Sequence, residues 1–257
     1  TRVPQDTSHT VITLLLRNDI MMKQRGFFLV LESIDGAGKS TVVSELKKLY
    51  PDAIYLAEPY STDLGKHIHE FCKAHWNELD DVTKGLLYTA QRREHLLHVV
   101  LPALEQGKLV VSERSYISTL VYQDDESVVS LHYDYIDPIL EEYDLYPDLV
   151  VLLDIPAEVS LERTKQRGTD VIEDSQTVQY LEEIRAKYRA VVREENSYAI
   201  IDATQPIEKV IEELFSISAN HQHFKIRQKQ KGTEQYRPLS AGGGDYSFLI
   251  MMVAIFA

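Results

Sequence analysis

Residues 27–31 (Phe-Phe-Leu-Val-Leu) form an unbroken apolar run. A run without polar alternation suits a strand covered on both faces, the situation of a parallel sheet sandwiched between helices. Ala53–Ala57, Leu109–Val111 and Leu149–Leu153 read the same way, and Tyr198–Ile201 is a shorter fifth. Helical patterns separate them at Ser40–Leu49, Asp63–His75, Leu79–Gln106, Ala157–Gln166, Thr177–Glu194 and Pro206–Phe215. Gly107 follows the long third pattern as a C-terminal glycine does, and Pro156 and Pro206 stand near helix starts, where a missing N–H costs least. Repeated strand–helix–strand units imply right-handed crossovers. The expectation is an α/β chain with a five-stranded parallel sheet and helices on both faces. No internal repeat is visible.

Composition limits what such a chain can do. Of 257 residues, 44% are apolar and 26% charged, which excludes a wholly disordered chain. The single cysteine, Cys72, excludes a disulfide framework and a cysteine-based zinc site, and fits a reducing compartment, so a cytoplasmic location is expected, with nucleus or organelle left open. Net charge is −13, and both ends are net basic, so the middle is more acidic than the whole. An acidic body is a poor footprint for nucleic acid. The longest apolar stretch, Ser247–Ala257, falls short of the roughly 18–20 residues a membrane helix needs, and no signal-peptide pattern opens the sequence. The expected organisation is an extension over residues 1–25, one domain over 26–218, and a non-functional tail over 219–257. Met21 and Met22 stand just before the first strand as candidate starts.

The sharpest local signal follows the first strand: Ser33-Ile34-Asp35-Gly36-Ala37-Gly38-Lys39-Ser40-Thr41, close to GxxxxGK[ST]. Successive backbone N–H groups must converge on phosphate oxygens, so side chains must be absent at Gly36 and Gly38. The following helix aims its N-terminal N–H groups and dipole at the same anion. Lys39 reaches the β- and γ-phosphates, and the Ser40 hydroxyl suits Mg²⁺. Ser33 replaces the first glycine, and a Cβ there is expected to strain the loop if the backbone needs positive φ.

With these residues in place, the chain resembles the thymidylate (dTMP) kinase family of the P-loop nucleoside monophosphate kinase superfamily, over about Gly26–Leu214. Five segments carry the resemblance in order: VLESIDGAGKST, EPYSTDLGKHI, LLYTAQRREHLLHVVLPALEQGKLVVSERSYISTLVYQ, YPDLVVLLDIPAEVSLERTKQRG and IIDATQPIEKVIEEL. It implies a three-layer P-loop kinase fold with a lid over about 163–175, ATP as donor, Mg²⁺, dTMP as acceptor, and a homodimer. It implies a donor site over Ser33–Thr41, that is Ser33, Ile34, Asp35, Gly36, Ala37, Gly38, Lys39, Ser40 and Thr41. On the acceptor side, Tyr88 matches the aromatic on which thymine stacks, and Arg92, one helical turn on, matches the arginine that reads the base. Arg114 matches the arginine on the dTMP phosphate, where a planar fork suits a phosphate. Asp35 would meet the sugar 3′-OH, and Pro59, after Glu58, would pack on the base. Thr119 falls by the base edge and Tyr122 near the ribose 2′ carbon, where a ring excludes a 2′-OH, and Ser118 joins the dTMP-binding set. Glu113 stands in place of the family's usual Asp beside the metal, together with Ser40. The implied catalytic set is Lys39, Arg114, Asp35 and a lid arginine, Arg167, because Val171 occupies the arginine position of an Asp-Arg-Ile-Glu-like stretch and Ala57 stands where bacterial members often carry Arg.

Without that resemblance, several of these residues have plainer readings. Arg92 and Arg93 suit a solvated helix face, Tyr88 a core position, and Glu113-Arg114 a structural ion pair. His67/His69 and His95/His98 suggest metal pairs, yet only the second pair has same-face spacing and neither has a third ligand. Three functions remain open from sequence: phosphoryl transfer from Mg·ATP to dTMP, a deoxynucleoside kinase using Glu58 as base, and a degenerate nucleotide-binding protein without turnover.

Overall fold

A computed structural model describes residues 25–122, 126–166, 177–192 and 197–220. Five strands form one parallel sheet: β1 (Phe27–Glu32), β2 (Ile54–Ala57), β3 (Leu109–Glu113), β4 (Leu149–Asp154) and β5 (Tyr198–Asp202), in the order β2-β3-β1-β4-β5. All six residues of β1 are buried. Successive strand residues point to opposite faces, so both faces of the sheet centre are covered. Leu31 is fully buried there, and its truncation to Ala should cost about 2–5 kcal/mol.

The order places β1 at the point where the chain changes direction across the sheet. β1 feeds helix α1 (Lys39–Leu49) toward β2 on one side, and β3 then crosses back over β1 to reach β4 on the other. Open α/β sheets bind ligands outside the carboxyl ends of their strands at such a point. The register aligns these ends: Leu31 lies opposite Glu113, Glu32 opposite Leu152, and Ala57 opposite Glu113.

Helix α2 (Asp63–Ala74) starts at Thr62, whose hydroxyl accepts from Gly65 N–H at 2.9 Å, and α3 (Asp81–His95) at Asp80, which accepts from Thr83 N–H at 2.9 Å. The long helix expected over Leu79–Gln106 runs without a gap from Asp81 to Glu105, but not as uniform α-helix. A π turn spans Leu96–Val100, and α4 (Leu101–Glu105) follows. Pro102 has no N–H for the carbonyl four residues back, which interrupts the α ladder, and the wider turn absorbs the break while keeping Leu96 and Val100 buried. Gly107 ends the segment with φ 73°, as its position implied.

Three short helices had no sequence expectation: α5 (Tyr116–Tyr122), α6 (Glu126–Tyr135) and α7 (Asp137–Glu142). Their Ser, Tyr, Val and Asp content is weakly helical, and packing decides the outcome. The remaining helices are α8 (Ala157–Gln166), α9 (Val178–Val192) and α10 (Ile207–Asn220). The last runs past the expected Phe215, and Ser218 stays buried there by donating to Leu214 O at 2.7 Å. Residues 1–24 and 221–257, which hold all but Arg25 and residues 219–220 of the two expected terminal segments and include the apolar Ser247–Ala257 stretch, lie outside the described residues. Among the described residues no helix is long and apolar enough to cross a membrane.

His132 of α6 sits in the core, stacked on Tyr116 with ring centroids 4.5 Å apart. Burial, helped by the charge of Arg92, pushes its pKa down from 6.5 to about 3. The folded chain therefore keeps this ring neutral where the unfolded chain protonates it. Its contribution to stability is full above pH 6.5 and is lost as pH falls toward 3, at up to about 1.4 kcal/mol per pH unit. His132→Phe keeps a stacked ring and removes the titration. Its melting temperature should fall less than that of the parent protein between pH 6.5 and about pH 4.5, and thermal melts across that range check this; parallel curves would contradict it.

Candidate active site

The loop from β1 to α1 turns through two glycines in the left-handed region, Gly36 at φ 78° and Gly38 at φ 97°. A Cβ at Gly36 would lie 2.7 Å from the Ser160 carbonyl oxygen and 2.9 Å from Thr164 Oγ1, so a side chain is excluded by α8 as well as by φ. No side chain caps α1. Its first turn opens onto a cavity of about 460 Å³ lined by Gly38, Lys39 and Ser40.

Ser33 does not strain this loop, contrary to the expectation from its Cβ. Among the described non-glycine residues only Arg114 and Asp144 have positive φ. Ser33 is fully buried; its hydroxyl donates to Ile34 O at 2.7 Å and accepts from Lys39 Nζ at 2.7 Å. The side chain that was to cause strain thus holds the loop lysine. Burial pushes the Lys39 ammonium down to about 7, the charge of Arg114 adds to this, and Asp35, Glu32 and Glu113 offset part of it.

Helix α8 is pinned over the loop. Ser160 Oγ donates to Asp35 O at 2.6 Å, and Thr164 reaches the cavity wall. The helix is held from behind: Arg185 of α9 grips Asp154 at 2.6 and 2.9 Å, and Glu182 accepts from Ala157 N–H at 2.7 Å.

Across the cavity, β3 ends in Glu113, and Arg114 follows it. Glu113 Oε2 accepts from Ser40 Oγ at 2.9 Å, so the two oxygens singled out for a metal come together. Arg114 takes φ 72°, a position held by its N–H to Leu31 O at 2.9 Å and by Ser112 Oγ donating to its carbonyl at 2.8 Å. The turn sends its guanidinium back over the loop. Nη2 donates to Asp35 Oδ1 at 2.5 Å, Nη1 donates to Ser118 Oγ at 3.1 Å and Tyr188 Oη at 3.3 Å, and the Tyr122 ring lies 5.4 Å away. Burial opposes its charge, but the Tyr188, Tyr122, Asp35 and Glu32 oxygens outweigh burial and raise its pKa.

The second arginine is fully engaged. Arg92 Nε donates to Glu58 Oε2 at 2.8 Å, with both side chains 7% exposed, and Nη1 donates to Thr119 Oγ1 at 2.8 Å. This is neither a solvated helix face nor a lone core residue. Pro59 comes so close to α2 that a Cβ at Gly65 would sit 2.0 Å from its carbonyl oxygen. Tyr88 Oη pairs with His69 Nδ1 at 3.1 Å, and His69 Nε2 with Tyr60 Oη at 2.8 Å, which places His69 in a tyrosine chain. Exposed His98 pairs with Glu94, while His95 is buried; among the described residues no group of three or more His, Cys, Asp or Glu side chains could hold a metal.

Of the other expected donor residues, Ile34 and Ala37 are buried and offer the loop only their backbone. Thr41 lines a second cavity of about 260 Å³ with Val42, Arg163, Ala203 and Ile207, where Arg163 Nη1 donates to Ala203 O at 3.0 Å. Arg167, Val171 and the lid beyond Gln166 lie outside the described residues. Sequence reasoning missed Glu32 and Tyr188. Glu32 is fully buried and accepts from Ser115 N–H, Ser115 Oγ and Ser118 Oγ and from Tyr188 Oη at 2.8, 2.8, 2.7 and 3.0 Å. A carboxylate closing an apolar strand was its signal. Tyr188 gave none, because with Leu181 and Ile184 it reads as a core stripe.

A parallel sheet in the order β2-β3-β1-β4-β5, with a glycine-turned loop feeding Lys39 and Ser40 into a helix start, defines a P-loop kinase. A family model for thymidylate kinase matches residues 31–214, and the chain belongs to that family. It is 33% identical over 201 residues to a thymidylate kinase of Leuconostoc mesenteroides, covering 72% of this chain and 92% of that one. It is 32% identical over 219 residues to a thymidylate kinase of Alteromonas mediterranea (82% and 98%), and 31% identical over 201 residues to a probable thymidylate kinase of Pyrococcus abyssi (75% and 96%).

Ser33→Gly removes the nearest acceptor of Lys39 without relieving any strain. The kcat/KM for ATP should fall, by up to about tenfold for the loss of one hydrogen bond to a charged group. Steady-state kinetics check this, and an improved value would restore the strain account.

Proposed function

We propose that the chain transfers the γ-phosphoryl group of ATP to dTMP, giving dTDP. The observation that carries this reading is the convergence of Lys39 and Arg114, from the segments that follow two adjacent strands, on one cavity in a chain of the thymidylate kinase family. Phosphoryl transfer asks a protein mainly to align two phosphates, neutralise charge and exclude water. Lys39 and the N–H groups of the loop hold the donor phosphates, and the cavity beside Thr41 and Ile207 takes the donor base. Arg114 holds the acceptor phosphate, Asp35 the sugar 3′-OH, and Tyr122 blocks a 2′-OH. Arg92 with Thr119 and Ser118, Tyr88, and the Glu58–Pro59 turn form the base side.

Ser40 and Glu113 offer the hard oxygens that Mg²⁺ takes, and phosphate oxygens and water complete its shell in such sites. These residues would hold the ion, which neutralises donor phosphate charge. We assign the lid to residues 163–175, with Arg167 as its cation. We further assign catalysis to residues 26–218. The sheet is complete by Asp202 and its covering helix by Asn220, so deleting 221–257 should leave turnover unchanged, and an inactive, unfolded truncation would contradict this. Leu64 and Phe71 on α2 and Leu86 on α3 are exposed and supply the face of a homodimer. One buried free cysteine suits a cytoplasmic setting.

Glu58 bears on the deoxynucleoside kinase reading. A base for the 5′-OH needs a free carboxylate, whereas Glu58 is buried against Arg92 Nε. Coupled ADP release measured with dTMP, dUMP, dGMP and thymidine tests the assignment. Turnover should be highest with dTMP, and turnover with thymidine alone would establish the nucleoside kinase instead. Arg114→Ala should raise the dTMP KM and lower kcat together, by about a hundredfold in kcat/KM, because the group orients as well as binds. A change confined to ATP affinity would remove Arg114 from the acceptor site.

A further inference from the structure

We propose that Glu32 is a positioning residue that aims Arg114 at the acceptor phosphate by fixing which way two hydroxyl protons point. The inference rests on the reading of Arg114 given above. Glu32 lines neither of the two cavities described above, is fully buried, and meets Arg114 only through shared hydroxyl partners. As a carboxylate it only accepts hydrogen bonds, and its two oxygens divide the work. Oε1 takes the Ser115 N–H and the Ser115 hydroxyl, both at 2.8 Å. That hydroxyl also accepts from Ile117 N–H at 3.2 Å, so its own proton is free to go to Glu32. Oε2 takes the Ser118 hydroxyl at 2.7 Å and the Tyr188 hydroxyl at 3.0 Å.

The last two oxygens are the ones that Arg114 Nη1 uses, at 3.1 and 3.3 Å. An arginine has only donors, so both hydroxyls must offer it lone pairs. Ser118 Oγ and Tyr188 Oη are also 2.9 Å apart, and either can donate to the other. In every arrangement that keeps Oε2 satisfied, the protons run toward Glu32 or between the hydroxyls, and lone pairs face Arg114. The negative charge is thereby transmitted as hydroxyl orientation to a guanidinium whose backbone already sits at φ 72°.

Glu32→Gln inverts this arrangement at nearly constant shape. Ser115 N–H can only donate, so the amide oxygen must take the Oε1 position. The amide NH₂ then falls at Oε2, facing Ser118 and Tyr188. Both hydroxyls become acceptors for it; one can still donate to the other, but the remaining proton loses its acceptor and turns toward Arg114, donor against donor.

The test is a double-mutant cycle on dTMP kinetics with Glu32→Gln, Arg114→Ala and the pair. Glu32→Gln also removes one of three carboxylates that support the Lys39 charge, so the KM for ATP should rise a few-fold, against a loss of about ten- to a hundredfold in kcat/KM for dTMP. In the Arg114→Ala background it should have almost no further effect, because it acts through that side chain. Independent, multiplying losses would reduce Glu32 to a structural carboxylate and overturn the proposal, as would unchanged dTMP kinetics in a folded Glu32→Gln protein. If Arg114→Ala itself alters only ATP kinetics, the acceptor-site reading fails instead. Tyr188→Phe removes one hydroxyl without placing a new donor, so it reads the same coupling should Glu32→Gln fail to fold. It should lower kcat/KM for dTMP several-fold in the parent background and not at all with Arg114→Ala, and equal losses in both backgrounds would overturn the proposal.

Discussion

One parallel register, Leu31 opposite Glu113, sets the geometry on which the site depends. It ends β1 and β3 at the same level, so the glycine loop and Arg114 leave the sheet side by side. The ladder then adds one more hydrogen bond, Arg114 N–H to Leu31 O at 2.9 Å, which commits Arg114 to the turn that carries its guanidinium over the loop. Side chains alternate along a strand, so a slip of one residue would send Glu113 and Arg114 to opposite faces of their present ones. The completely buried faces of β1 make such a slip expensive. Core packing and site geometry are therefore the same constraint seen from the two ends of the strand.

The acidic character of the chain does not conflict with holding phosphates. The positive groups of the cavity stand among carboxylates: Asp35 and Glu32 near both Lys39 and Arg114, and Glu113 near Lys39. Two partly buried cations repel, and burial penalises each of them. Lys39 shows the result in a pKa pushed down to about 7, while Arg114 keeps its charge because oxygens surround it. The acidic residues of the site are thus what allows two cations to stand close together.

The strands and the phosphate loop were legible in the sequence because each rests on a local rule: apolar runs for buried parallel strands, and Gly36 and Gly38 for positive φ. Arg92 and Arg114 were singled out only through resemblance, since Arg92 on a helix reads equally well as surface. What escaped was set by distant partners. The π turn at Leu96–Val100 follows from one missing N–H at Pro102, inside a pattern that otherwise reads as uniform helix. The helices between Tyr116 and Glu142 form against their weak propensity, with His132 buried among them. Ser33 looked like a defect against the motif, because its bond to Lys39 depends on a side chain six residues away folding back over the loop.

Arg92 and Arg114 are both aimed by carboxylates, but by different means. Arg92 takes Glu58 directly, charge on charge, with both partners buried. Removing one partner of such a pair strands the other and costs about 3–5 kcal/mol, so this contact is fixed. Arg114 has one direct carboxylate, Asp35, whose side chain is 49% exposed, and one indirect carboxylate, Glu32, which is fully buried. Water can replace Arg114 around Asp35, and a phosphate can replace Asp35 on Nη2, at little cost to the fold. Neither exchange is open to Glu32, which is held by a backbone N–H and three hydroxyls. The arrangement separates two demands on one guanidinium: Nη2 meets an exchangeable partner, while Nη1 is held by oriented hydroxyls that stay in place. A direct buried ion pair of the Arg92 type could hold Arg114 as firmly, but it would occupy the donors that a phosphate needs.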